Sequence, residues 1–175
     1  MIHIFIKIMG AVFVLAGGCG TGWYFSAKKK RRIQVLQEFE QVLILLYGEI
    51  EYAGEDMVET LEGLVPKTVW FSSFFQEVAF YLRRKCGHTL WKTWERGIEN
   101  SPLTEVLEPE DCSLWKEVGS HLGILGRQSQ LRSIELSQKR LGRQLAKAQE
   151  EYSSQAKLFH VLGVTAGVFV VILLL

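Results

Sequence analysis

Residues 31–53 read RRIQVLQEFEQVLILLYGEIEYA, and the spacing of their apolar side chains decides the fold class. Leu36, Phe39, Leu43, Leu46, Ile50 and Ala53 recur at intervals of three and four. In an α-helix such positions share one face, whereas a half-buried strand alternates every second residue. The spacing predicts a helix over 31–53, with Gly54 as its natural stop.

The same reading extends toward the C-terminus. A short helix should follow, with Met57, Leu61 and Leu64 inward, ending before Pro66. Trp70 to Lys85 forms a third, with Phe71, Phe74, Phe75, Val78 and Leu82 on its apolar face and Gly87 as C-cap. Thr89 can cap a fourth that turns Leu90, Trp91, Trp94 and Ile98 inward, and Ser101-Pro102 breaks it. Pro109 opens a fifth, with Glu108, Glu110 and Asp111 near its positive end. That helix runs to about Leu122 or Leu125, where Gly123 and Gly126 interrupt. From about Ser129 a last helix can continue through Leu131, Ile134, Leu141, Leu145, Ala148 and Tyr152, weakened but not broken by Gly142. No segment shows strand alternation bounded by turn signals. The expected fold is all-α, a bundle of about six helices.

The two ends differ from this middle. Ile8 to Phe25 and Leu158 to Leu175 are each 18 residues without a charged side chain. As helices they would cover about 27 Å, close to a bilayer core of about 30 Å. Trp23 and Tyr24 fall where an aromatic belt is expected, and Lys7 can snorkel. Gly10, Gly17, Gly18, Gly20 and Gly22 suit the first span to close helix packing. Lys28, Lys29, Lys30, Arg31 and Arg32 follow it directly, and by the positive-inside rule they orient the chain. The expectation is a span and interface over 1–27, a cytoplasmic helical domain over 28–157, and a second span over 158–175, with both termini outside. A cleaved signal peptide would carry its charges before the apolar run and a small-residue site after it. Here the charges come after. Ala16-Gly17-Gly18-Cys19 only loosely matches a lipoprotein site.

Composition excludes several functions. With 20 basic and 19 acidic side chains the net charge is +1, so nucleic acid is not an expected partner. Charge is nonetheless segregated. Residues 38–62 hold eight acidic residues and no basic one, and residues 127–147 hold six basic residues and one acidic. These runs can be solvated faces or helices lying side by side. The sharper reading assigns Glu49, Glu51, Glu55, Asp56 and Glu59 to partner docking, and lets the basic face meet another subunit or the anionic leaflet.

Catalytic signatures are missing. There is no phosphate-binding G-x-x-x-x-G-K-[ST] loop, no H-E-x-x-H and no G-x-S-x-G. Cys19, Cys86 and Cys112 have no metal spacing, and reduced thiols are the plain reading. Cys86-Gly87-His88 pairs a thiol with an imidazole, but residues so close rarely attain nucleophile–base geometry. No cofactor, metal or catalytic residue is expected.

Four features resemble one family, stage III sporulation protein AB of endospore-forming bacteria. The first is the order of span, basic cluster, helices and terminal span. The second is Tyr47-Gly48-Glu49-Ile50-Glu51-Tyr52 followed by Thr60-Leu61. The third is Trp91-Lys92-Thr93-Trp94. The fourth is Leu122-Gly123 with Gln130, leading to Leu162-Gly163-Val164-Thr165-Ala166-Gly167 and Val171-Ile172-Leu173-Leu174-Leu175. The chain departs from the pattern at Gly126, where an Asp is usual, and at Gly54-Glu55-Asp56, where a Pro is common.

The resemblance implies a platform, similar to the F-type proteins of type II secretion and type IV pilus systems, in the mother-cell membrane around the forespore. It implies a cytoplasmic secretion-type ATPase and other membrane subunits as partners in a channel-like complex, with a homo-oligomer possible. A membrane-anchored adaptor or regulator unrelated to secretion is the alternative.

Overall fold

The computed structural model describes residues 27–53, 56–84, 89–122 and 126–174, and beyond Ser154 the description is of the backbone helix. The expected first span lies outside the described residues, as do the stops at Gly54, Gly87 and Gly123. Of the second span only the helical course is described. Among the described residues no helix is long and apolar enough to cross a membrane.

The described chain is all-α. Helix α1 covers residues 27–48 and widens into a π-helical turn, Glu49–Ala53. Helix α2 spans Met57–Leu64 and runs into a 3-10 turn, Val65–Lys67. Then come α3 (Ser72–Arg83), α4 (Leu90–Asn100), the single-turn α5 (Leu103–Val106), α6 (Pro109–His121) and α7 (Arg127–Leu174). The chain divides into two units. One is Arg32–Lys147, which holds the core described below. The other joins Met1–Arg31 with Ala148–Leu175, and within it Lys29 Nζ meets Glu151 Oε2 at 3.3 Å.

Helix α1 buries Val35, Leu36, Phe39, Val42, Leu43 and Leu46, as its spacing requires, and leaves Ile50 half-buried. It supports the bundle through two layers. The lower is ionic. Arg32 is 5 % exposed and Asp111 is fully buried. Arg32 Nε donates to Asp111 Oδ2 at 2.8 Å and its Nη2 donates to Oδ1 at 3.2 Å, while its Nη1 lies 2.6 Å from Glu108 Oε1. Asp111 Oδ2 also accepts the Glu108 backbone N–H at 3.0 Å, which holds the start of α6. A buried charge is tolerated only when so fully matched. The sequence reading placed Asp111 at the positive end of α6, where a solvated carboxylate suffices. The structure instead gives it a guanidinium to neutralise.

The upper layer is aromatic. Phe39, Phe71, Phe74, Phe75, Trp94 and Trp115 all have at most 1 % exposure. Phe39 meets Trp115 edge-on at 4.7 Å, Phe74 meets Trp94 at 4.9 Å, and the two indoles lie 4.6 Å apart. Each such pair adds about 0.5–1.5 kcal/mol beyond area burial. Trp94 Nε1 donates to the Trp115 carbonyl at 3.0 Å, so its polar edge is not lost on burial. The helices approach closely where side chains vanish. A Cβ on Gly97 would lie 2.9 Å from Val78 Cγ2, and one on Gly119 would overlap the Trp94 ring.

Several boundaries depart from the sequence reading. Helix α3 begins at Ser72, two residues later than expected, because the Glu38 carboxylate takes its leading amides. Glu38 Oε1 accepts N–H bonds from Val69, Trp70 and Phe71 at 2.8, 2.7 and 3.0 Å. Helix α5 was not expected. It forms because Ser101 Oγ accepts the Leu103 amide at 3.2 Å and Leu103 and Leu107 are buried. Met57, Leu82, Leu90, Trp91, Leu145 and Tyr152 are half-buried rather than core. Thr89 caps α4 as its position suggested, through a long bond of 3.5 Å to the Lys92 amide.

Helix α7 starts at Arg127, two residues early, and runs unbroken for 48 residues, about 72 Å. Within the larger unit it packs antiparallel to α6. Ser133 contacts His121, Arg140 Nη1 meets Glu117 Oε2 at 2.6 Å, and Gln144 Nε2 donates to the Glu110 carbonyl at 3.3 Å. Leu131, Ile134, Ser137 and Leu141 are its buried positions in that unit.

Two substitutions test these layers. Asp111→Ala strands a buried guanidinium and should lower stability by about 3 kcal/mol, whereas replacing both partners, Arg32→Met with Asp111→Leu, should recover much of that loss. Gly119→Ala should cost about 1–3 kcal/mol by overpacking against Trp94. Tryptophan fluorescence during denaturation of the full chain in detergent measures both.

Candidate docking surface

The acidic stretch is not a uniform face, because the fold consumes part of it. Glu38 caps the entry to α3 and is internal to the architecture. Glu62, in the last turns of α2, forms a forked pair with Arg83 of α3, with Nε–Oε1 at 2.9 Å and Nη2–Oε2 at 2.6 Å. Glu49 opens the π turn and lies 3.6 Å from Lys67 Nζ.

What remains is concentrated at the start of α2. Asp56 precedes the helix with extended backbone, and its carbonyl accepts the Thr60 amide at 3.0 Å while its side chain caps nothing. Glu59 sits in the first turn. Both are exposed. The unpaired amides of a helix N-terminus make it a favourable place for acidic side chains. Both reach Arg83. Its pKa is raised above the ordinary guanidinium value, first by the hydrogen bonds and charge of Glu62 and then by Glu59 and Asp56. Asp56 and Glu59 therefore share the α2–α3 edge.

Glu51 lies elsewhere, on the π turn beside Tyr47. Its charge is the leading cause that raises the Tyr47 phenol above its usual range, followed by desolvation and Glu135 of α7. The Tyr47 hydroxyl is 3.4 Å from Glu135 Oε1, a contact that sets the end of α1 beside α7. Glu55 lies outside the described residues. Of the five acidic residues expected to dock a partner, the fold brings Asp56 and Glu59 together, sets Glu51 apart from them, and partners Glu49 internally.

The basic cluster divides in the same way. Lys28, Lys30 and Arg31 are exposed, Lys29 pairs with Glu151, and Arg32 is withdrawn into the core. Nothing in the run Lys28-Lys29-Lys30-Arg31-Arg32 distinguishes its last member. Only the helical phase it shares with Val35, Leu36 and Phe39 could have signalled its burial.

The described residues offer no reactive centre. No group of His, Cys, Asp and Glu among them could hold a metal ion. Cys86 and His88 lie outside the described residues. Cys112 is half-buried in α6, and its thiol is pushed above the usual range by burial and then by Asp111, against a lowering effect from Lys116. A thiol so perturbed is a poor nucleophile at neutral pH.

Comparison with known proteins matches residues 7–175 to the family model for stage III sporulation protein AB. The chain is 24% identical over 175 residues to stage III sporulation protein AB of Bacillus subtilis (strain 168), covering 97% of this chain and 99% of that protein. A solved structure of SpoIIIAB superposes with a TM-score of 0.63 at 20% identity, covering 70% of this chain and 97% of that one, which shows a shared fold.

The thiol assignment is open to test. In a chain carrying Cys19→Ser and Cys86→Ser, iodoacetamide should alkylate Cys112 several-fold more slowly in the folded protein than after denaturation in urea. Equal rates would show an exposed, ordinary thiol.

Proposed function

Because the chain belongs to the stage III sporulation protein AB family, we propose that it is a membrane platform subunit of a sporulation-specific, secretion-like channel complex between mother cell and forespore. It is a sporulation protein and not an enzyme. In this reading the apolar runs over 1–27 and 158–175 are spans, residues 28–157 form the cytoplasmic domain, and both termini lie outside. The exposed Lys28, Lys30 and Arg31 hold that orientation. The domain docks a cytoplasmic secretion-type ATPase and neighbouring membrane subunits.

The observation that carries the reading is the extent of the family match, which takes in nearly the whole chain, with both uncharged ends and the helical middle. The physical chemistry of the middle agrees with it. A platform needs a stiff body, and the ionic and aromatic layers supply one. It needs a charged contact face, and the α2–α3 edge offers Asp56 and Glu59 to solvent. Glu49, Glu51 and Glu55 belong to the same docking stretch in sequence, but Glu49 already has a lysine partner.

Capture of the intact protein from gently solubilised membranes of sporulating cells tests this. A secretion-type ATPase and small membrane subunits should co-purify. Asp56→Asn with Glu59→Gln should lower ATPase recovery about tenfold, the effect of losing one or two charged interface contacts. Glu49→Gln should change it little. Unchanged ATPase recovery from the double variant, with its melting transition intact, would reject the docking role. Recovery of the protein alone, beside a crosslinked control that succeeds, would reject the platform.

A further inference from the structure

The α3–α4 hairpin carries a second charged surface, of opposite sign and unrelated to the acidic edge. Tyr81 of α3 and Lys92, Thr93 and Arg96 of α4 line a cavity of about 200 Å³. The Arg96 guanidinium lies 5.2 Å from the centre of the Tyr81 ring. One residue earlier on α3, Phe80 is 49 % exposed, meets Tyr81 edge-on at 5.6 Å and carries the Arg84 guanidinium at 4.2 Å from its ring centre. Two arginine–aromatic pairs thus stand side by side at one end of the hairpin.

The hairpin's own carboxylates make their closest contacts elsewhere. Glu77, the acidic residue of α3, accepts from Asn100 at 3.0 Å. Glu95 and Glu99, the acidic residues of α4, both turn to Lys116 of α6, at 3.3 and 3.4 Å. Among the described residues no carboxylate forms an ion pair with Lys92 or Arg96. The two cations lie one helical turn apart on the same face, so their fields add at the cleft. Thr93 contributes shape rather than a free donor, since its hydroxyl is bonded to the Thr89 carbonyl at 3.2 Å.

Size and lining decide the class of ligand. Pockets for cofactors and small molecules are usually about 300–1,000 Å³. This one is smaller and suits one or two side chains. A guanidinium that lies over a ring can still turn N–H donors toward the forked geometry of a carboxylate. Arginine and aromatic side chains are also the types that dominate binding energy at protein interfaces.

We propose that the α3–α4 cleft, with Lys92 and Arg96 as its cations and Phe80 as its apolar neighbour, docks an acidic segment of a different protein subunit. The carboxylate enters between Lys92 and Arg96, and an adjoining apolar side chain lies on Phe80. This surface is separate from the Asp56–Glu59 edge and does not depend on what docks there.

The test uses the full chain in membranes of sporulating cells, with the photocrosslinking residue p-benzoylphenylalanine in place of Phe80. The expected adduct maps to a stretch of another protein that contains clustered Asp or Glu. Lys92→Gln with Arg96→Gln should lower its yield about tenfold, equivalent to about 1.4 kcal/mol, with no change in melting. Reversing the acidic residues of the captured stretch to lysine should restore the yield against Lys92→Glu with Arg96→Glu. An adduct that persists undiminished in the neutralised variant would overturn the proposal. So would adducts only to lipid, to a stretch lacking acidic residues or to a second copy of this chain, or no adduct at all.

Discussion

The arrangement depends on the buried ion pair between Arg32 and Asp111. A guanidinium and a carboxylate removed from water each lose several kcal/mol of hydration, and only close, saturated geometry returns it. Asp111 meets this condition by accepting two bonds from Arg32 and one from the Glu108 amide. The pair fixes the rotation of α1 about its axis and sets where α6 begins. Two turns along α1 stands Phe39 and one turn along α6 stands Trp115, and these two rings meet edge-on. The ionic and aromatic layers are therefore successive floors of one helix–helix interface. The ionic floor is specific in direction, and the aromatic floor supplies the apolar area.

The other helices attach to these floors. Phe71, Phe74 and Phe75 bring in α3, Trp94 brings in α4, and glycines at 97 and 119 let the helices close on one another. Glu38 extends the same logic, because a charge on α1 completes the amides that precede α3. Acidic residues in this chain thus serve two ends. Glu38, Glu62 and Asp111 are spent inside the domain, where each matches a specific donor set. Asp56 and Glu59 remain exposed at the start of α2.

The same division governs the cations. Arg32, Arg83, Lys116 and Arg140 close contacts between helices. Lys92 and Arg96 stay exposed at the Tyr81 cleft, while Glu95 and Glu99, less than one turn along α4 from them, contact Lys116 of α6. A nearly neutral chain acquires separate acidic and basic surfaces in this way. Segregation of this kind gives orientation and selectivity to docking more than raw affinity.

By itself the sequence determined that the protein is helical, which faces of α1, α3 and α4 are apolar, that Thr89 and Pro109 open helices, and which family the chain resembles. These follow from local periodicity and from capping chemistry, which act over a few residues. Tertiary structure alone decided that Arg32, last in a run of five similar cations, goes inward. It also decided that Glu38 caps a helix more than thirty residues away, that α5 forms, and that Asp56 and Glu59 stay free while Glu49 and Glu62 do not. Each of these depends on a partner distant in the chain. The fate of a charge is set by the donor or acceptor that folding brings beside it, and spacing along the sequence carries no record of that neighbour.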